Sequence, residues 1–186
     1  MVDPPVEIVG RRRIDVIRET WSFTRATVKG LDHDQWTRAV DHPSVDDVGE
    51  LARIFAMRLL DGVRGWRRTT VERLDATVGW GPIETADEIR RRAATIIAFY
   101  RNIPESEWTV PRRSGMSVLE STERSAFDTC VMLDALLPPL GISYDPPCLP
   151  LAHQYAIDEL TERGTELHDA AHSIELIRLA AALPRY

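Results

Sequence analysis

A chain of 186 residues, 44% hydrophobic and 28% charged, is long enough to bury its own core without metal or disulfide staples and too apolar to stay disordered. Its net charge of −6 argues against a nucleic-acid partner, which needs a basic surface. Two cysteines, Cys130 and Cys148, make no disulfide framework and fit no paired zinc spacing. No apolar run is long enough to cross a membrane, and the opening MVDPPVEIVGRRR lacks the basic-then-apolar order of a secretory signal. A soluble, cytoplasmic protein is expected.

Apolar residues recur at helical spacing in five places. The first predicted helix carries Ile14, Ile17, Trp21, Val28 and Leu31, with Thr24 breaking the stripe. The second follows Ser44 and carries Val48, Leu51, Phe55, Leu59 and Val63. VGWGP (78–82) then places Trp80 between two glycines in a turn. The third predicted helix starts near Thr85 and shows Ile89, Ala93, Ile96, Ile97 and Tyr100. The fourth begins at Ser117, with Leu119, Ala126, Phe127, Cys130, Val131 and Leu137. The stretch PPLGISYDPPCLP (138–150) has five prolines in thirteen residues, so it predicts an extended connection separating the first four helices from the last. That last helix starts near Pro150 and runs through Leu160, Leu167, Ala171, Ile174 and Ile177, with Gly164 placed to bend or divide it. No segment alternates in the manner of a strand, so the expected class is all-α.

Two segments echo each other. LDHDQWTRAVDHPSVDD (31–47) and IPESEWTVPRRSGMSVLE (103–120) share Trp-Thr, a loop, and Ser-Val-x-acid. Ser44 with Asp47, and Ser117 with Glu120, have the spacing of helix caps, in which the hydroxyl accepts from a free amide and the acid complements the helix dipole. Trp36 and Trp108 are expected to plug the bundle ends over two similar hairpins.

GLDHDQW (30–36) followed by PSVDDVGELA (43–52) resembles the opening of the DinB-like superfamily, nearest to the N-terminal domain of mycothiol-dependent maleylpyruvate isomerases, and IPESEW (103–108) resembles that family's third-helix ending. The resemblance spans roughly residues 10–137. It implies a four-helix bundle of two helical hairpins with a small-molecule pocket. In one domain over 1–186, residues 138–150 then form the Pro-rich connection and 150–183 a C-terminal helical segment that the resemblance does not cover. Family members hold a divalent metal through a histidine on the second helix and two ligands on a later one. Here the histidine position is Leu51, or Ile54 in a register three residues later, and the later pair falls near Cys130 and Asp134. The resemblance thus implies the fold while the metal-binding set is not preserved, and neither metal nor cofactor is expected.

The remaining polar residues on apolar faces are the candidates for chemistry. Glu123 and Asp134 lie beside the fourth stripe. A carboxylate walled by apolar groups holds its proton near neutrality and can act as general acid or base, the plainer alternative being a solvated or Arg-paired group. Asp134, flanked by Leu133, Leu136 and Leu137, is the expected base. Thr24, Tyr100, Cys130 and Trp80 are the expected substrate-binding residues. The alternatives are a back-bonded threonine, a packed tyrosine and a buried cysteine. His168 and His172, four apart, form a metal-compatible pair without a third ligand. The basic residues are arginine except for Lys29 and cluster at 11–13, at 64, 67 and 68, at 90–92 and at 112–113. They suit either solvated helix faces or capture of a substrate that is acidic or carried by an acidic protein.

The expected function is an enzyme of specialised, natural-product-like metabolism that works by metal-independent acid–base chemistry such as cyclisation, elimination or isomerisation. The alternatives are a metal-dependent thiol (mycothiol) transferase or isomerase, and a non-catalytic small-molecule binding or resistance protein. The expected partner is a small molecule, with no nucleic acid and no membrane.

Overall fold

The computed structural model describes residues 6–42, 45–59, 77–112 and 115–163. Within them the class is all-α: α1 (Val6–Lys29), α2 (His33–Trp36), α3 (Val48–Arg58), α4 (Pro82–Arg101), α5 (Val118–Leu136) and α6 (Leu149–Arg163), with 3-10 turns at Glu105–Glu107 and Pro138–Leu140. None of these helices is long and apolar enough to cross a membrane. The stripes do what their spacing requires: Ile14, Ile17, Trp21 and Val28 of α1 are at most 2% exposed, alongside Ile89, Ile96 and Tyr100 of α4 and Phe127 and Leu133 of α5.

Local chemistry sets where the helices begin. At α5, Ser117 accepts from the Glu120 amide at 3.2 Å while Glu120 accepts from the Ser117 amide, the full reciprocal cap that the spacing predicts. The start of α3 differs from expectation. Its cap is Asp47, which accepts from the Glu50 amide at 2.8 Å, three residues after the predicted Ser44; Ser44 itself lies outside the described residues. The reason is a bridge between Ala39 and Asp47 that keeps Asp47 extended (φ −141°, ψ 168°), with the Val48 amide donating to the Arg38 carbonyl at 2.9 Å. At α4 the helix begins at Pro82 rather than near Thr85, because proline suits the first helical position and Glu84 accepts from the Gly81 amide at 3.1 Å.

The two Trp-Thr loops retain part of their likeness. After Trp36 the chain bonds back to α3 through Arg38, and after Trp108 the Leu119 amide of α5 donates to the Trp108 carbonyl at 3.2 Å. Trp36 lies directly on Gly49. A Cβ at Gly49 would fall 2.5 Å from the indole ring, so only glycine lets the ring lie there, with Arg53 over its face at 5.8 Å to the centroid. Gly49→Ala is expected to destabilise the fold by about 1–2 kcal/mol, although alanine is the better helix former, because the ring must swing off α3. Urea unfolding of the variant checks this.

Packing corrects the hairpin expectation. Among the described residues α1 packs most extensively on α4, and α5 on α6, with further contacts between α1 and α5, α3 and α4, and α3 and α5. Among the described residues α1 with α3, and α4 with α5, do not form comparable pairs, whereas the consecutive α5 and α6 do. The stripes define which face of each helix is apolar but not which partner covers it.

The Pro-rich connection is a packed strap rather than a spacer. Gly141 (φ +68°) turns the chain after the Pro138–Leu140 turn, where glycine carries no Cβ penalty. Arg38 donates to the Pro139 carbonyl at 2.8 Å. Tyr144 stacks on Phe23 of α1, centroids 3.5 Å apart and planes within 8°. Cys148, Ala152, Tyr155 and Ala156 then join the core, so the start of the C-terminal segment belongs to the same interior as α1–α5.

Candidate functional site

The inward face of α5 carries several buried polar groups. Thr122, Glu123, Thr129 and Cys130 are all under 9% exposed and share it with Ala126, Phe127 and Leu133, at the three- and four-residue steps of one helix face. Glu123 is the one buried carboxylate among the described residues. Arg13 of α1 donates to its Oε1 and also to the Leu119 carbonyl at 3.2 Å. The two side chains keep 19% and 11% exposure. Burial raises the proton affinity of Glu123; Arg13 opposes this by charge and hydrogen bond, and Asp158 and Glu120 add to the rise. Glu123 is thus shielded from water and paired with an arginine.

Above this pair the α1–α5 seam is closed. Trp21 donates from Nε1 to the Thr129 hydroxyl at 2.9 Å, and Thr129 donates to the Ser125 carbonyl at 2.7 Å. Thr20 and Thr24 each donate to the carbonyl four residues back, both at 2.9 Å, which satisfies their protons within α1. Thr24 borders a shallow apolar cleft with Leu51, Ala52, Phe55, Met132, Leu133 and Leu136. The cleft is apolar and too narrow for a water molecule. Glu123 lies nine residues before Met132, roughly 13 Å along the helix, so the carboxylate and the cleft occupy different levels of α5.

Other candidates lie apart from this face. Asp134 is exposed, which corrects the expectation that its leucine neighbours keep water away: Leu133, Leu136 and Leu137 point into the core, and a helix turns the residue between them outward. Trp80 is half-buried in the turn ahead of α4. Tyr100 is fully buried among Phe99 and Trp108. Its hydroxyl lacks a hydrogen bond, with Ser125 alongside, and burial pushes the phenol up to about 12. His168 and His172 lie outside the described residues. Among the described residues no three His, Cys, Asp or Glu side chains come together as a metal cluster.

The arginine cluster at 90–92 is largely committed within the protein. Arg92 is 8% exposed and donates to the Met57 carbonyl at 3.0 Å, satisfying the last turn of α3. Arg91 and Arg92 both donate to Glu88, and Arg90 pairs with Asp87 at 3.6 Å. The bonds from Arg91, then Arg92, hold the Glu88 carboxyl down to about 2, against its burial. A carboxyl lowered from 4.5 to about 2 stabilises the fold above pH 4.5, and that contribution fades as pH falls toward 2. Glu88→Gln is expected to flatten this part of the acid-unfolding curve by lowering stability at pH 7 while changing it little near pH 2, because Arg92, 9% exposed at its side chain, loses its carboxylate partner.

Sequence reading did not single out Arg13, Thr129 or Cys148 as site residues. Cys148 Sγ lies 3.6 Å from Cys130 Sγ, and both thiols are free and buried. Their separation of 18 residues crosses the Pro-rich strap, so no helical spacing signals it. Arg13 reads as one of three consecutive arginines until α5 is placed beside it. No family model, curated protein or solved structure matches this chain.

Proposed function

We propose that this protein is a small-molecule enzyme working by metal-independent acid–base chemistry, with Glu123 rather than Asp134 as its proton-transfer group. The observation that supports this is a buried carboxylate whose proton affinity is raised by burial and whose position is held by Arg13. A group so placed can take a proton from a bound molecule and return it elsewhere on the same molecule, as elimination, cyclisation or isomerisation requires. Arg13 has a matching role, steadying the carboxylate in its ionised form and offering a donor to an acidic substrate. The resemblance to DinB-like proteins supports the reading only in that it implies small-molecule chemistry inside a helical bundle.

The test is incubation of the purified chain with fractionated small-metabolite extracts, followed by mass spectrometry with chromatographic separation of isomers. Wild type is expected to convert a component that Glu123→Gln still binds, in a thermal-shift assay, but leaves unconverted. Equal turnover by both forms sinks the assignment. Turnover that depends on a stoichiometric metal in elemental analysis favours the thiol-transferase alternative instead. The alternative, sequestration of a ligand without turnover, needs the bundle to open, since the apolar cleft beneath Thr24 does not admit a water molecule as it stands. It predicts binding that Glu123→Gln leaves unchanged, with no conversion by either form.

A further inference from the structure

Cys130 sits on the inward face of α5, and Cys148 is the residue immediately before α6, where its carbonyl accepts from the Leu151 and Ala152 amides, each at 3.1 Å. Their sulfur atoms are 3.6 Å apart. They are the only cysteines in the chain. The two environments are unlike. Cys148 lies at the N-terminus of a 15-residue helix, whose free amides favour a negative sulfur. The Thr20 hydroxyl lies beside it. Cys130 lies mid-helix, facing its partner and near Asp134 and Asp145, whose charges oppose ionisation. The contact between the thiols, in which either sulfur can donate, lowers Cys148 and raises Cys130.

We propose that Cys130 and Cys148 form a reversible thiol–disulfide site, oxidised by small-molecule disulfides, that tethers the start of α6 to α5. In the first step the Cys148 thiolate attacks one sulfur of the reagent, breaking its S–S bond, forming a mixed disulfide and releasing one reagent thiolate. Cys130 then gives up its proton to that thiolate and attacks the Cys148 sulfur, breaking the mixed disulfide and releasing the second thiolate, which takes up from water the proton that Cys148 lost on ionising. Two protein thiols are oxidised by two electrons, and one reagent disulfide is reduced to two thiols.

Access to the pair is gated by the strap. Cys148 is 0% and Cys130 3% exposed, and the chain covering them is held by the stack of Tyr144 on Phe23. Release of that stack is the local opening that admits the reagent.

The experiment uses the full chain and oxidised glutathione as the probe, with timed quenching by N-ethylmaleimide and intact-mass analysis. Wild type is expected to reach a monomeric species that has lost two hydrogens, carries no glutathione, resists alkylation after unfolding and is restored by dithiothreitol. Cys130→Ser is expected to stop at one glutathione adduct on Cys148. The same adduct on Cys130 in Cys148→Ser should form about tenfold more slowly or less. Tyr144→Ala is expected to speed the wild-type reaction several-fold. Two thiols that remain alkylatable after prolonged exposure, or products limited to adducts and cross-linked dimers, overturn the proposal. Faster adduct formation at Cys130 than at Cys148 overturns the order of attack, and an unchanged rate in Tyr144→Ala overturns the gating. The wild-type mass measurement needs no variant, so a Ser variant that misfolds leaves the central result standing.

Discussion

Removing Arg13 while leaving Glu123 in place is expected to destabilise the protein by about 2–3 kcal/mol at pH 7, well beyond an ordinary surface change. Breaking a fully buried ion pair costs about 3–5 kcal/mol, because the remaining charge has neither partner nor water. Here the side chains keep 19% and 11% exposure, which reduces the figure. Arg13→Met preserves most of the side-chain volume and removes only the charge and the donors. Glu123 already holds its proton more tightly than a free glutamate because burial outweighs Arg13. For a carboxyl raised in the folded state, the stability lost through its ionisation appears as pH rises above about 4.5 and is absent below it. The Arg13→Met penalty should therefore shrink as pH falls from 7 toward 4.5. Replacing both partners, Arg13→Met with Glu123→Leu, should recover at least half of the loss, since an apolar pair needs no compensation. Guanidinium unfolding of the two singles and the double, at pH 7 and pH 5, measures all of this as one cycle. A double variant as unstable as the sum of the singles shows that the pair does not act as a unit.

Trp21→Ala is expected to have the larger effect, about 3–5 kcal/mol, which for a chain of this size lowers the melting temperature by roughly 10 °C. Trp21 is 2% exposed and among the largest fully enclosed side chains of the core. Its ring bridges α1 and α5, and its Nε1 donates to Thr129 at 2.9 Å. Two milder variants separate packing from the hydrogen bond. Trp21→Phe keeps most of the apolar area but loses the donor. Thr129→Val keeps the shape but strands a buried indole N–H, at a cost of about 1–3 kcal/mol. If Thr129→Val is neutral, the bond contributes little and the seam is held by apolar contact alone. Calorimetry of the three variants decides between these.

Together these two residues show what kind of site the α1–α5 seam is. One end is closed by an aromatic anchored through a hydrogen bond. The other holds the only buried carboxylate among the described residues and its arginine partner. The Arg13 bond is the main polar support of the Glu123 carboxylate.

The sequence by itself determined the helical class, the buried faces and one helix start, because these depend on residues near each other in the chain. Three- and four-residue spacing placed Ile14, Ile17 and Trp21 on one side of α1, and Ser117 with Glu120 made the cap that begins α5. Local signals failed where a longer contact outweighed them. Ser44 had the spacing of a cap, but the bridge between Ala39 and Asp47 moved the start of α3 to Val48. Asp134 had apolar neighbours in sequence, yet the helix turned it outward and turned Glu123 inward. Tertiary structure alone decided the long-range pairings of polar groups. Arg13 meets Glu123 across 110 residues, and Cys130 meets Cys148 across a strap that folds back on α1. A stripe specifies how much surface each helix must bury, but not which helix buries it. That choice comes from the joint packing of α1, α4, α5 and α6, where shape and the pairing of buried polar groups must be satisfied together.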